Sequence, residues 1–118
     1  MLKLFRNHPK LNWSYIESDE DLQKALSSSG KIALFKHSIR CPISSMAKSR
    51  LEKSWDKETN GTTIYFLDLI QYRELSNKVA SQLAVDHASP QLILIEGGMA
   101  IYNASHNMIQ SSEAAKYI

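Results

Sequence analysis

Cys41 is the one cysteine of this 118-residue chain, and the residues around it are those that make a thiol reactive. The stretch reads Phe35-Lys36-His37-Ser38-Ile39-Arg40-Cys41-Pro42-Ile43-Ser44-Ser45-Met46. An apolar strand, Lys31 to Phe35, is expected to end here in a short polar turn. Pro42 then marks the first position of a helix, where its missing N–H would be unpaired anyway. Cys41 would stand at the N-terminal end of that helix, where free N–H groups and the positive dipole end favour a thiolate. Lys36, His37 and Arg40 add cationic groups nearby. A thiolate so placed attacks disulfide sulfurs. By residue type alone a lone cysteine also reads as a small buried hydrophobe. The context favours the reactive reading.

Other cysteine chemistries do not fit. An anion loop of the phosphatase or arsenate-reductase kind needs Cys-x5-Arg, and the residue six places after Cys41 is Ala47. No Pro-x3-Thr-x2-Cys arrangement of a peroxidase precedes the thiol. One cysteine excludes an intramolecular disulfide, and no Cys/His grouping has zinc-finger spacing, so no metal is expected. A formal net charge of +2 without a lysine-arginine cluster argues against nucleic acid. Met1 to Trp13 mixes Lys3, Arg6, His8, Pro9 and Lys10 with its apolar residues, which is neither a secretory core nor a membrane span. The expected compartment is therefore a reducing cytoplasm. With 43% hydrophobic and 22% charged residues, and no repeat or linker, residues 1–118 read as a single globular domain.

The elements that must position the thiol follow from pattern. Trp13 to Ile16 reads as a short strand. Ser18 opens a helix with an acid three residues on, Leu22, Ala25 and Leu26 form its buried face, and Gly30 ends it. The helix opened by Pro42 carries Ile43, Ala47, Leu51 and Trp55 at i+4 spacing, a stripe that reads as core. Asn60-Gly61 supplies a turn, and Thr62 to Leu69 a β-rich strand. A third helix has Leu75, Val79 and Leu83 on one face. Ser89-Pro90 precedes the apolar run Leu92 to Ile95, Gly97-Gly98 signals a hairpin, and Met99 to Asn103 returns antiparallel. Ser111-Ser112-Glu113 can cap a last helix ending at Tyr117. The order βαβαβα-ββα gives an α/β fold, a mixed central sheet flanked by helices.

If Gly97-Gly98 is a two-residue turn, Glu96 pairs with Met99, Leu94 with Ile101 and Leu92 with Asn103, which puts Pro90 opposite Ser105. His106 would then reach the sheet end that carries Cys41. It can bind an anionic group or assist proton transfer, or equally be a solvated loop histidine. His37 is a proton shuttle, a positive neighbour of the thiolate, or a structural hydrogen-bond partner. Arg40 suits a carboxylate through its fork geometry, and reads equally as a surface arginine.

This arrangement resembles the thioredoxin-like fold. His37-Ser38 followed by Cys41-Pro42-Ile43-Ser44, with Ser89-Pro90 and the closing hairpin, resembles the monothiol bacilliredoxin family (YtxJ-type) from about Trp13 to the C-terminus. The resemblance implies a thiol-disulfide oxidoreductase that removes bacillithiol from mixed disulfides of cytosolic proteins, with bacillithiol as thiol co-substrate. It makes Cys41 the catalytic residue and matches Ser44 and Pro90 to the family's second-cysteine and cis-proline positions; Pro42, Ser89, Arg40, His37 and His106 complete the candidate substrate-binding set on the residue readings given above. Ser44 stands where a dithiol relative has its resolving cysteine, so release of the adduct needs an external thiol. The Ser89–Pro90 bond is implied to be cis, presenting the main chain of Ser89 to a cysteinyl segment. The competing reading is a redox-sensing or binding domain of the same fold without turnover.

Overall fold

The computed structural model describes residues 11–118. Most of the N-terminal stretch read above as neither leader nor span lies outside those residues. The order is β1 (Ser14–Tyr15), α1 (Asp19–Leu26), β2 (Lys31–His37), α2 (Pro42–Thr59), β3 (Ile64–Asp68), α3 (Arg73–Leu83), β4 (Gln91–Glu96), β5 (Met99–Ser105) and α4 (Ser111–Ala115). The strands form one five-stranded sheet in the order β1-β3-β2-β4-β5. β3 runs parallel to β1 and β2, and β4 is antiparallel to both β2 and β5, so the sheet is mixed as expected.

Each sheet face is covered by two helices. Ala33, Phe35, Leu92 and Leu94 pack with Ala47, Leu51 and Trp55 of α2 and Ala114 of α4. On the opposite face Ile32, Leu34, Ile93 and Ile95 pack with Leu22 and Ala25 of α1 and Val79 and Leu83 of α3. Burying each such Leu, Ile or Phe contributes about 1.5–3 kcal/mol. β2 is buried along six of its seven residues because both faces and both edges are occupied.

Local signals set most boundaries. Ser18 caps α1, its Oγ accepting from Asp21 N–H, while Asp21 reaches back to Glu17 N–H at 2.9 Å. Asn60 closes α2 in the left-handed region (φ 61°). Gly97 and Gly98 both have positive φ, as a tight hairpin turn requires.

Five expectations are corrected. β2 does not end at Phe35: Lys36 pairs with Leu67 and Gln91, and His37 with Asp68, so sheet pairing overrides the polar side chains. Ile43 is 49% exposed, because the first turn of α2 overhangs the core and Ser44 takes the inward position instead. α1 ends at Leu26 with Ser27 as its cap, and Gly30 lies beyond, next to β2. Gln110 rather than a serine is the N-cap of α4, while Ser111 turns inward to accept from Ser54 Oγ at 2.8 Å. The hairpin register holds at Glu96–Met99 but slips at a bulge between Leu94 and Ile95, so Leu94 meets Tyr102 and Ser105 meets Gln91 rather than Pro90.

Candidate functional site

The site gathers where β2 and β4 end side by side. Because Lys36 pairs with Gln91, the Ser89–Pro90 turn stands at the same end of the sheet as the turn 38–41 that leads into α2. Cys41 is the extended N-cap of α2 (φ −109°, ψ 118°), half-exposed, with Pro42 at the first helical position. Its N–H bonds the Ser38 carbonyl at 3.1 Å, and its own carbonyl accepts from Ser45 N–H at 3.0 Å. Cys41 thus stands at the N-terminal end of an 18-residue helix, and its side chain makes no capping hydrogen bond to it. Arg40 and Pro42 flank it on the exposed side.

Behind the thiol, Ser44 and His37 form a buried pair. Ser44 Oγ accepts from Ser38 N–H at 3.0 Å and lies 2.7 Å from Nδ1 of His37. With Ser38 donating to the oxygen, the hydroxyl proton is assigned to a neutral Nδ1, leaving the ring proton on Nε2. Burial holds His37 below the usual imidazole value, and Lys48 lowers it further against the opposing pull of Asp68 and Glu52. The ring lies against Phe35 and Phe66, at centroid distances of 5.8 and 5.3 Å. His37 at neutral pH is therefore a neutral hydrogen-bonded group, and its reading as a positive neighbour of the thiolate is corrected. The hydroxyl of Ser44 points into the turn that carries Cys41.

Lys36 is not beside the thiol either. Successive strand residues face opposite sides of a sheet. Lys36 therefore buries its ammonium toward α3, where it donates to the Ser76 carbonyl at 3.0 Å and to Nδ1 of His87 at 3.1 Å. Desolvation pulls its pKa down to about 8.

The Ser89–Pro90 peptide bond is cis. The structure brings His106 to this turn by the one-residue slip in the hairpin: its N–H donates to the Pro90 carbonyl at 3.3 Å, and its Nε2 lies 3.1 Å from the Ser89 carbonyl. A left-handed backbone at His106 (φ 55°) turns the chain out of β5 into a short 3₁₀ turn, His106–Met108. Two residues of this neighbourhood escaped the sequence reading. Arg50 of α2 donates to the carbonyls of His106 and Ile109, both at 3.0 Å, and ties the 3₁₀ turn to the helix. Gln91 is buried just after Pro90. A polar residue heading the apolar run Leu92 to Ile95 was the available signal for Gln91; Arg50 has none, since its partners are main-chain atoms distant in sequence.

Among the described residues, no group of three or more His, Cys, Asp or Glu is placed to hold a metal ion, and no helix is long and apolar enough to cross a membrane.

A cysteine at the head of the helix after the central parallel strand, and a cis proline at the head of the neighbouring antiparallel strand, are set here on a thioredoxin fold. Among solved structures, one described as having a thioredoxin fold, with a provisional oxidoreductase assignment, superimposes with a TM-score of 0.79 at 28% identity, covering 87% of this chain and 90% of that one. Mitochondrial thioredoxin 3 from Saccharomyces cerevisiae, in its oxidized form, matches with a TM-score of 0.71 at 12% identity over 90% and 92% of the two chains. Fasciola hepatica thioredoxin matches at 0.69 and 17%, over 89% and 95%. The particular family is given by residues 14–114, which match the monothiol bacilliredoxin BrxC family; the chain belongs to it. Its chemistry is thiol–disulfide redox chemistry.

Proposed function

We propose that this protein removes bacillithiol from mixed disulfides of other proteins in a one-cysteine cycle run by Cys41 in the cytoplasm, as a single thioredoxin-like domain. The observation that carries the reading is the pairing, at one sheet end, of a half-exposed helix-capping cysteine with a cis Ser89–Pro90 turn, while serine occupies the fourth position of Cys41-Pro42-Ile43-Ser44. Family membership supports it. The Cys41 thiolate attacks the bacillithiol sulfur of the mixed disulfide. The old S–S bond breaks, the target leaves as a thiolate that takes up a proton, and Cys41 is left bacillithiolated. A second bacillithiol thiolate attacks that adduct, frees Cys41 and leaves as bacillithiol disulfide. Attack needs a thiolate in line with the sulfur and a cradle for the cysteinyl part, which the Ser89 main chain supplies. Bacillithiol bears a malate group with two carboxylates, for which exposed Arg40 offers a fork. His106, whose Nε2 lies 3.1 Å from the Ser89 carbonyl, is the second candidate for that anionic group.

The test gives one target protein a bacillithiol adduct or a glutathione adduct and compares initial release rates. The bacillithiol adduct is expected to be released faster, Cys41→Ala to abolish release, and Arg40→Ala to narrow the gap. Equal rates on both adducts, with Cys41 remaining unmodified, would overturn the reading in favour of a redox-sensing domain without turnover.

A further inference from the structure

Lys36 has no part in the cycle proposed above, yet it is fully buried. Its described partners are a carbonyl and an imidazole, Ser76 O and His87 Nδ1, rather than a carboxylate. Ser76 Oγ is 3.5 Å from the same imidazole nitrogen. Burying an ammonium among such neutral partners disfavours folding. Departures of this kind from an apolar core concentrate where a protein must place something accurately.

What Lys36 places is visible from its neighbour across the β2–β4 pairing. Gln91, also buried, donates from Nε2 to the Asp86 carbonyl at 2.9 Å and accepts at Oε1 from Ala88 N–H at 3.3 Å. Its Nε2 also lies 3.4 Å from Asn103 Oδ1, which links it to β5. Asp86, His87 and Ala88 are thus tied, one after another, to two adjacent buried side chains of the sheet. The next two residues are the cis pair Ser89–Pro90, held from the other side by His106. The loop before the cis proline is clamped rather than merely connected.

We infer that Lys36 is a positioning residue for thiol exchange: through His87, and together with Gln91, it fixes residues 86–88 and so sets where Ser89–Pro90 stands relative to Cys41. The inference rests on the exchange reading given above and adds a group that touches neither the thiol nor the substrate. Lys36 acts on docking, so its loss should appear in KM while the intrinsic reactivity of Cys41 survives.

The experiment compares wild type with Lys36→Met, which keeps an unbranched buried chain without a donor, and with His87→Ala and His87→Asn on the protein surface. KM and kcat are measured on a bacillithiolated target protein, Cys41 alkylation by iodoacetamide is timed, and backbone amide shifts of Ala88, Ser89 and His106 are followed by NMR. Lys36→Met should raise KM by at least about tenfold, against the roughly hundredfold that a misplacement of about 1 Å can cost. It should shift those three amides and leave the alkylation rate unchanged. His87→Ala should act in the same direction, and His87→Asn, whose side-chain oxygen can replace Nδ1 as acceptor, should recover most of the loss. Unchanged KM and unmoved amides would overturn the inference, as would a fall in Cys41 alkylation parallel to the loss of exchange. Should Lys36→Met not fold, the two His87 variants decide by the same criteria. A wild type without turnover on any mixed disulfide would instead sink the exchange reading, and the amide shifts would still judge the clamp.

Discussion

Ser44 and His37 are joined side chain to side chain, Oγ to Nδ1 at 2.7 Å, directly behind the turn that presents Cys41. The serine hydroxyl also accepts from Ser38 N–H, so one buried atom ties the end of β2 to the first turn of α2. In this chain the fourth position of the Cys-Pro-Ile-Ser stretch holds a scaffold bond.

Ser44→Ala strands Ser38 N–H and the His37 ring nitrogen in a buried setting. It is expected to lower unfolding free energy by about 1–3 kcal/mol, read from the denaturant midpoint. Alkylation of Cys41 should be largely unaffected, since Ser44 contributes no sulfur. Unchanged stability would show that water replaces the lost bonds.

Arg50 holds the 3₁₀ turn that carries His106, through two carbonyls at once. Arg50→Ala should cost about 1–3 kcal/mol of stability and loosen His106 against Ser89. Arg50→Lys should recover little, because a single ammonium does not reproduce the fork. Full recovery by lysine in thermal melts would reduce the contact to charge alone.

Lys36 makes stability depend on pH with a definite sign. Burial lowers its pKa from the ordinary 10.5 to about 8, so folding releases its proton before the unfolded chain would. Between about pH 8 and 10.5 the unfolded state binds more protons, and the contribution of Lys36 to stability rises with pH. It is complete above 10.5 and lost as pH falls through about 8, a total on the order of 3 kcal/mol. The stability of wild type relative to Lys36→Met should therefore increase from pH 7 to pH 10. A flat difference would refute the buried-ammonium account.

His37 carries the matching acid-side dependence. Its imidazole is held below the usual value of 6.5 by burial first and by Lys48 second. Its contribution is present above the unfolded value and lost as pH falls through the lower folded value. Protonation would also remove the acceptor that receives the Ser44 hydroxyl. His37→Gln should flatten the acid limb of the stability curve below pH 6.5, measured against wild type by urea titration. An identical acid limb in both proteins would place the dependence elsewhere.

The residues alone made legible the element order, the helix-opening Cys41-Pro42, the cap at Ser18 and the glycine hairpin, because these depend on a few adjacent positions and on apolar periodicity; the same reading reaches further along the hairpin. It also placed His106 near Pro90, by counting outward from Gly97-Gly98. That Lys36 turns away from the Cys41 turn was visible only once the sheet was assembled. Lys36 and His37 are neighbours in the chain, yet the pairing of β2 on both edges extends the strand through them and sends their side chains to opposite faces. The bulge between Leu94 and Ile95 moved the partner of Pro90 by one residue, and so brought His106 rather than Ser105 opposite it. The contacts of Arg50, Gln91 and Lys36 lay beyond the pattern because their partners are main-chain atoms or distant side chains. Such partners carry no periodic signal; they become neighbours only when the sheet is assembled and both of its faces are covered.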